Sequence, residues 1–576
     1  MTLSFRPALL LSAIPALALA LAPLPAVAEL LPQDAPAVGA SIEPSLAGRY
    51  LAGRYARSGH DLAAAADLLG GALEADPKNP DLLQQTFMLN LGAGRIEAAT
   101  DLAQRLIALG GDNDVAPIVL AVAGAKSGDF VGASAALKGA PTSGINSVLV
   151  PLLEAWFALP GEGIEAALTA LAPLAKIKGL EPLYETQLGL IQDLAGHAAE
   201  ADTAYQAAIK ASEQPSFRMH ELAGNFYQRQ NRAADAKALY DNFAKRMPAA
   251  LWLEALNSSL EAGAKAPPTV PDAGAGAAES LFDLATILNQ EEAADAALAY
   301  LRLALHLRPD LAIAQVLLGD VLVQQERLAE AVDVYGTVSG TSPFAWQARR
   351  SAARELDELD RTDESVAALK VMVDERPRDV DAAIDLGNIE RAHERFAEAA
   401  AAYDIAVARL GEPQPRHWSL FYFRGVSRER NKDWAAAEAD FKQALALEPD
   451  QPYVLNYLAY SWVEQQQQAH YDEALAMLAK AVELRPDDGY IVDSLGWVYF
   501  RLGRHDKAVE YLERAVQLKP QDPVINDHLG DAYWRAGRKG EAGSQWRRAL
   551  LFKPEPDQIQ PIEAKIERGL DDSTGG

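Results

Sequence analysis

Cysteine is missing from all 576 residues. Its absence excludes disulfides, thiolate metal sites, a cysteine nucleophile and a lipidated N-terminal cysteine. Aromatic residues are scarce, 7% against 49% hydrophobic overall, so an ordered core must be built from small and aliphatic side chains. Positive charge is in deficit: 53 Lys and Arg face 80 Asp and Glu, a formal net charge of −27. A chain this acidic repels phosphate backbones, so no nucleic-acid partner is expected. After residue 28 no run of about 18 apolar residues occurs, so no integral membrane span is expected beyond that point. Catalytic signatures are missing as well. No two of the nine histidines stand at i, i+4 on one expected helix, and there is no HExxH, GxxxxGK[ST] or GxSxG motif. Asp487-Asp488-Gly489 has too few ligands at alternate positions for a calcium loop. The reading is a non-enzyme with no catalytic residue, no metal and no cofactor.

The first 28 residues read as an export signal. Arg6 is the only charge before Glu29, Ala8 to Ala22 is apolar apart from Ser12, and Ala26-Val27-Ala28 is a small-x-small cleavage pattern. The competing reading, an uncleaved membrane anchor, is disfavoured by Pro7, Pro15, Pro23 and Pro25 and by the short apolar core. An exported, soluble product starting at Glu29 is expected.

Prolines then fall at a fixed interval. Pro309, Pro343 and Pro377 are 34 residues apart, as are Pro486, Pro520 and Pro554. With Gly489 to Asp522 numbered 1 to 34, Leu495 and Gly496 fall at 7 and 8, Tyr499 at 11, Ala508 at 20, Leu512 at 24, Ala515 at 27 and Pro520 at 32. The next window places Leu529, Gly530, Tyr533, Ala542, Trp546, Ala549 and Pro554 at the same positions. Gly at 8 and Ala at 20 let two helices approach, larger residues at 7, 11 and 24 fill the seam, and proline at 32 ends the second helix. One such hairpin cannot bury its own apolar faces, but a stack can.

This pattern resembles the tetratricopeptide repeat, departing from it at the first aromatic position, where Val492 and Asn526 stand. The fold class implied is all-α, a tetratricopeptide (TPR) α-solenoid. About 14 units are expected, six before residue 250 and eight after 278, with Ser365 making the 346–379 unit degenerate and a three-residue insertion around Gln466–Gln468. The domain reading is a signal over 1–28, a degenerate repeat segment over 29–262, a linker over 263–277, a regular array over 278–556, and a capping helix and disordered tail over 557–576. The linker reads GAKAPPTVPDAGAGA, whose Pro and Gly content predicts a flexible joint. A helix from Ala250 to Ala262 is expected to cap the first segment, and another to span Pro561 to Leu570.

The resemblance further implies that first helices line a concave face, with positions 2, 5, 9 and 12 turned into it. In the last repeats those positions hold Tyr453, Asn456 and Tyr460, then Tyr490, Asp493, Trp497 and Phe500, then Asp527, Asp531 and Trp534, preceded by Tyr422. Aromatic anchors beside hydrogen-bonding groups suit a peptide groove, although rings packing between neighbouring first helices would look the same in sequence. The mixture of rings and aspartates favours a partner segment with apolar and basic residues.

The stretch Asn456 to Arg538 looks like exported TPR proteins of Gram-negative bacteria, and is similar to the C-terminal repeats of TPR lipoproteins that serve as adaptors for periplasmic C-terminal processing proteases. What this implies is a periplasmic scaffold that brings a protease or envelope enzyme to its substrate. Those adaptors are lipidated at a cysteine, which this chain lacks. The alternative is a structural assembly factor for an envelope or outer-membrane complex.

Overall fold

The computed structural model describes residues 45–110, 113–247, 252–263 and 266–570. The expected export signal and the tail 571–576 lie outside these residues. Among the described residues there are thirty α-helices and no strand, and no helix is long and apolar enough to cross a membrane. In chain order the helices come as six pairs between Leu46 and Arg246 and eight pairs between Ala273 and Leu551. Single helices, Trp252–Glu261 and Pro556–Arg568, follow the two sets. The fold class is thus all-α, as the 34-residue period predicts.

Position 15 of the repeat sets each turn between paired helices. It holds Glu326, Glu394, Lys432 or Gln466 with φ between 54° and 66°, and Gly503 or Gly537 with φ of 70° or 80°. One left-handed residue reverses the chain direction between helices, and only glycine adopts that conformation without strain. Between 80 and 181 the helices are uneven, from eight residues in Phe130–Leu137 to seventeen in Asn146–Glu162. This is why the repeat loses its register there.

The chain divides into two compact units, one ending at Leu359 and one beginning at Asp360. The division falls inside the degenerate 346–379 repeat and not at the expected joint over 263–277. In the first unit a single core runs from Ala65 to Ala348. Its Ala273–Gln290 helix packs on Asn146–Glu162 and Glu181–Leu194, and its Ala294–Leu307 helix on Pro80–Gly92 and Ala116–Lys126. The first helices of the N-terminal repeats therefore close around a later hairpin of the same chain.

Here the linker reading is corrected. Asp272 caps a helix that starts at Ala273, accepting a hydrogen bond from the Ala275 amide at 2.8 Å. The small residues serve close approach: a Cβ on Gly276 would collide with the Trp156 indole. The preceding loop is tied down too. Asn225 Nδ2 donates to the Pro267 carbonyl at 3.0 Å, Arg308 Nη1 to that of Thr269 at 2.7 Å, and Val270 is buried.

Polar groups fix this helix in register. Trp156 Nε1 and Ser280 Oγ both donate to Gln187 Oε1, at 2.8 and 3.0 Å, and Gln187 Nε2 donates to Asp283 Oδ2 at 2.8 Å. Arg218 pairs with Glu279 and Glu221, and Arg308 Nη1 reaches Glu279 Oε1 at 3.3 Å. Burial, reinforced by the charge of Glu279, pushes the Asp283 carboxyl up to about 7.

The second unit has its own core, from Phe421 to Ile562. The C-terminal helix begins at Pro556, five residues before the expected start, because Pro556 occupies the first turn, where a missing N–H is harmless.

Candidate functional site

The first helices of the second unit's complete repeats are Asp381–Ala392, Trp418–Arg430, Pro452–Glu464, Gly489–Arg501 and Pro523–Arg535. Gly489–Arg501 packs on the first helices before and after it. Within each hairpin, position 8 meets position 24 of the second helix: a Cβ on Gly387 would lie 2.6 Å from Tyr403 Cε1, and one on Gly496 2.7 Å from Leu512 Cγ.

That contact decides where position 9 turns. A polar tip at position 24 bonds position 9: Tyr403 Oη donates to Asn388 Oδ1 at 2.8 Å, and Trp546 Nε1 to Asp531 Oδ1 at 2.9 Å. In the 452–488 and 489–522 repeats, position 24 is Leu478 or Leu512, which has no polar tip. Their position 9 residues, Tyr460 and Trp497, are not drawn into the seam and remain partly exposed.

The sequence-predicted residues separate accordingly. Tyr422 packs among Trp418, Phe441 and Tyr457, with centroids 6.1, 6.1 and 5.9 Å away. Burial pushes its phenol up to about 12. Phe500 is buried and stacks on Trp497 at 4.8 Å. Both rings are packing residues, as aromatics between adjacent first helices can be.

Asp493 is buried, with its Oδ2 3.0 Å from His528 Nδ1 in the next first helix. Trp497 lies flat on that imidazole, centroids 4.0 Å apart. Its Nε1 donates to Glu464 Oε1 at 2.7 Å, an oxygen that Arg501 Nη1 also reaches at 3.2 Å. Asp527 and Asp531 share the ammonium of Lys565, at 2.7 and 2.8 Å. Lys565 comes from the C-terminal helix, whose following Gly569 sits against the Trp534 ring with no room for a Cβ. Burial pushes the Asp531 carboxyl up, Lys565 opposes it and Asp527 adds to it, and the result is about 6.

All three aspartates thus engage basic side chains of the same chain, Asp493 with His528 and the Asp527–Asp531 pair with Lys565, rather than standing open for a basic partner. Sequence reasoning missed His528, Lys565 and Glu464. The available signal was a base about one repeat after each acid: 35 residues from Asp493 to His528 and 38 from Asp527 to Lys565.

Tyr453, Asn456, Tyr460, Tyr490 and Trp497 remain, all from two adjacent repeats. Tyr490 is 52% exposed, with Lys519 Nζ 5.1 Å from its centroid. Half-buried Tyr453 has the Arg485 guanidinium at 5.6 Å. Asn456 Oδ1 is buried without a donor. Burial, with the charges of Glu464 and Asp493, holds the Tyr460 phenol above its ordinary range.

The family described as Tetratricopeptide repeat matches residues 316–380, 381–452 and 463–523. A TPR repeat-containing protein of Pseudomonas aeruginosa is 32% identical over 193 residues, which are 32% of this chain and 31% of that protein. The chain thus spans about a third of that relative's length. Among solved structures, the APC/C hetero-tetramer Cut9-Hcn1 is 15% identical over 92% of this chain and 97% of that one, with a TM-score of 0.36. MamA from Desulfovibrio magneticus RS-1 is 18% identical over 31% of this chain and 97% of that one, with a TM-score of 0.27. The chain carries tetratricopeptide repeats; Tyr490 and Trp497 lie within the 463–523 match, and Tyr453, Asn456 and Tyr460 in the stretch between the second and third matches.

Proposed function

We propose that the chain is a non-enzymatic protein–protein interaction scaffold that holds a segment of a partner protein against Tyr453, Tyr460, Tyr490 and Trp497. The observation that carries this reading is the pair of leucines, Leu478 and Leu512, that leave Tyr460 and Trp497 out of the hairpin seams. Several other first helices are engaged: Pro80–Gly92, Ala116–Lys126, Asn146–Glu162 and Glu181–Leu194 by the Ala273–Leu307 hairpin, and Pro523–Arg535 by Lys565 and Gly569. Rings with a hydrophobic face and one polar edge suit a partner segment that brings apolar side chains and a few donors.

The export reading of residues 1–28 puts this scaffold in the periplasm. The similarity of 456–538 to protease adaptors supports a role in gathering a protease or envelope enzyme with its substrate. Capture from a periplasmic extract on the intact exported protein tests this. Hydrolases recovered together with their substrates, and lost with Tyr460→Ala/Trp497→Ala, support the adaptor role. Stable membrane-complex subunits would instead favour an assembly factor, and an unchanged catch with the double variant would move the site elsewhere.

A further inference from the structure

Trp497 rests on a titratable floor. Asp493 and Trp497 stand one turn apart on the Gly489–Arg501 helix, and both meet His528 of the Pro523–Arg535 helix. Asp493 Oδ1 and Oδ2 lie 3.1 and 3.0 Å from His528 Nδ1. The indole lies on the imidazole with centroids 4.0 Å apart and ring planes 16° from parallel. His528 is buried, whereas Trp497 keeps part of its surface open. Glu464, on the preceding first helix, accepts the indole N–H at 2.7 Å. Three successive first helices thus set the pose of one partly exposed ring. Both His528 contacts gain when the imidazole is charged. A charged donor bonds a carboxylate more strongly than a neutral one, and a cation over an indole face is attracted by the ring quadrupole. The neutral imidazole forfeits both gains.

We propose that His528 is a positioning residue for the aromatic surface: its charged ring fixes the pose of Trp497, and loss of that charge as pH rises loosens the indole and weakens the partner's hold. This deepens the scaffold reading above and rests on it. The surrounding groups favour the charged ring. Asp493 faces it from the Gly489–Arg501 helix, and Asp527 and Asp531 from its own helix. The opposing cation, Lys565 of the Pro556–Arg568 helix, is shared between Asp527 and Asp531. Glu464, which Arg501 also reaches, and Tyr460, whose phenol feels Glu464 and Asp493, belong to the same cluster. Burial works against the imidazolium, the three aspartates outweigh it, and the net shift is upward from 6.5. The charge is therefore lost in a range that ordinary surroundings reach.

Two readouts on the full-length protein test this. A charged imidazole in contact with an indole quenches its fluorescence more than a neutral one. The emission of wild type minus that of Trp497→Phe should therefore rise by about twofold or more as pH goes from about 6.5 to about 8.5. Above pH 6.5 Asp531, whose carboxyl sits at about 6, stays largely charged. The rise should vanish in His528→Phe, which keeps a flat ring without the charge. The second readout is the affinity of the partner whose capture is lost with Tyr460→Ala/Trp497→Ala. Wild type should lose about three- to tenfold over the same range, and His528→Phe, or His528→Gln if the larger ring does not fit, less than about twofold. A flat difference emission would overturn the proposal, and so would equal pH dependence of binding in wild type and the His528 variants. If no partner depends on Tyr460 and Trp497, the scaffold reading fails and the binding half of this proposal with it, while the emission decides independently whether His528 seats the indole.

Discussion

At the scale of single residues, two features make direct predictions. Glu394 sits at position 15 with φ of 59°, a conformation that strains any L side chain. Glu394→Gly removes that strain and adds back some unfolded-state entropy, for a net gain of roughly 0.5–1 kcal/mol. The second unit should melt a degree or two higher in thermal denaturation. The other feature is buried His528. Burial alone would lower its pKa, but the charge and hydrogen bond of Asp493, with Asp527 and Asp531 nearby, outweigh it and the net shift is upward from 6.5. A base with a raised folded pKa stabilises fully below its unfolded value and loses that contribution as pH rises through the folded one. The wild-type melting advantage over His528→Gln should therefore be largest below pH 6.5 and shrink above it. A difference that grows with pH would contradict the Asp493–His528 pairing.

At the scale of elements, the Ala273–Gln290 and Pro556–Arg568 helices fill surfaces that the repeat pattern alone leaves open. Gly276→Val would press a branched side chain into Trp156, an overpacking of about 1–3 kcal/mol. Limited proteolysis should then cut within 266–290, a stretch that resists in the wild type. Lys565→Met leaves Asp527 and Asp531 without their cation, at about 3 kcal/mol near neutral pH. The loss should lessen toward pH 5, because Asp531, with a pKa of about 6, accepts a proton there. Parallel melting curves at the two pH values check both the size and the sign. These elements also mark where sequence reasoning ends. Gly496, Ala508 and Pro520 disclosed the hairpins because their small or rigid side chains act within one repeat. Gly274 to Ala277 were misleading, because the same composition suits a loose joint and a helix pressed on an indole; only the fold supplies Trp156. Asp527 and Asp531 looked like groove acids because Lys565, which neutralises them, lies in another helix. Arg548 gives one more case: its Nη2 bonds the Pro520 carbonyl of the preceding turn at 3.2 Å, a clasp between repeats that no single-repeat pattern reveals.

At the scale of the whole molecule, the two units use similar hairpins differently. The first encloses one of its own hairpins, and the second keeps aromatic residues of two adjacent repeats partly exposed. Tyr490 and Tyr453 are the most informative of these, since each projects from the start of its helix beside a basic side chain, outside the seam contacts of positions 8 and 24. The affinity of Tyr453→Ala/Tyr490→Ala for the captured partner, measured against wild type alongside a melting curve, tests the central claim most directly. Each aromatic hot spot contributes about 2 kcal/mol or more, so the pair should weaken binding about a thousandfold while the protein melts as before. A double variant that melts normally and binds as wild type would contradict the claim, and one that melts several degrees lower would make these rings part of the core.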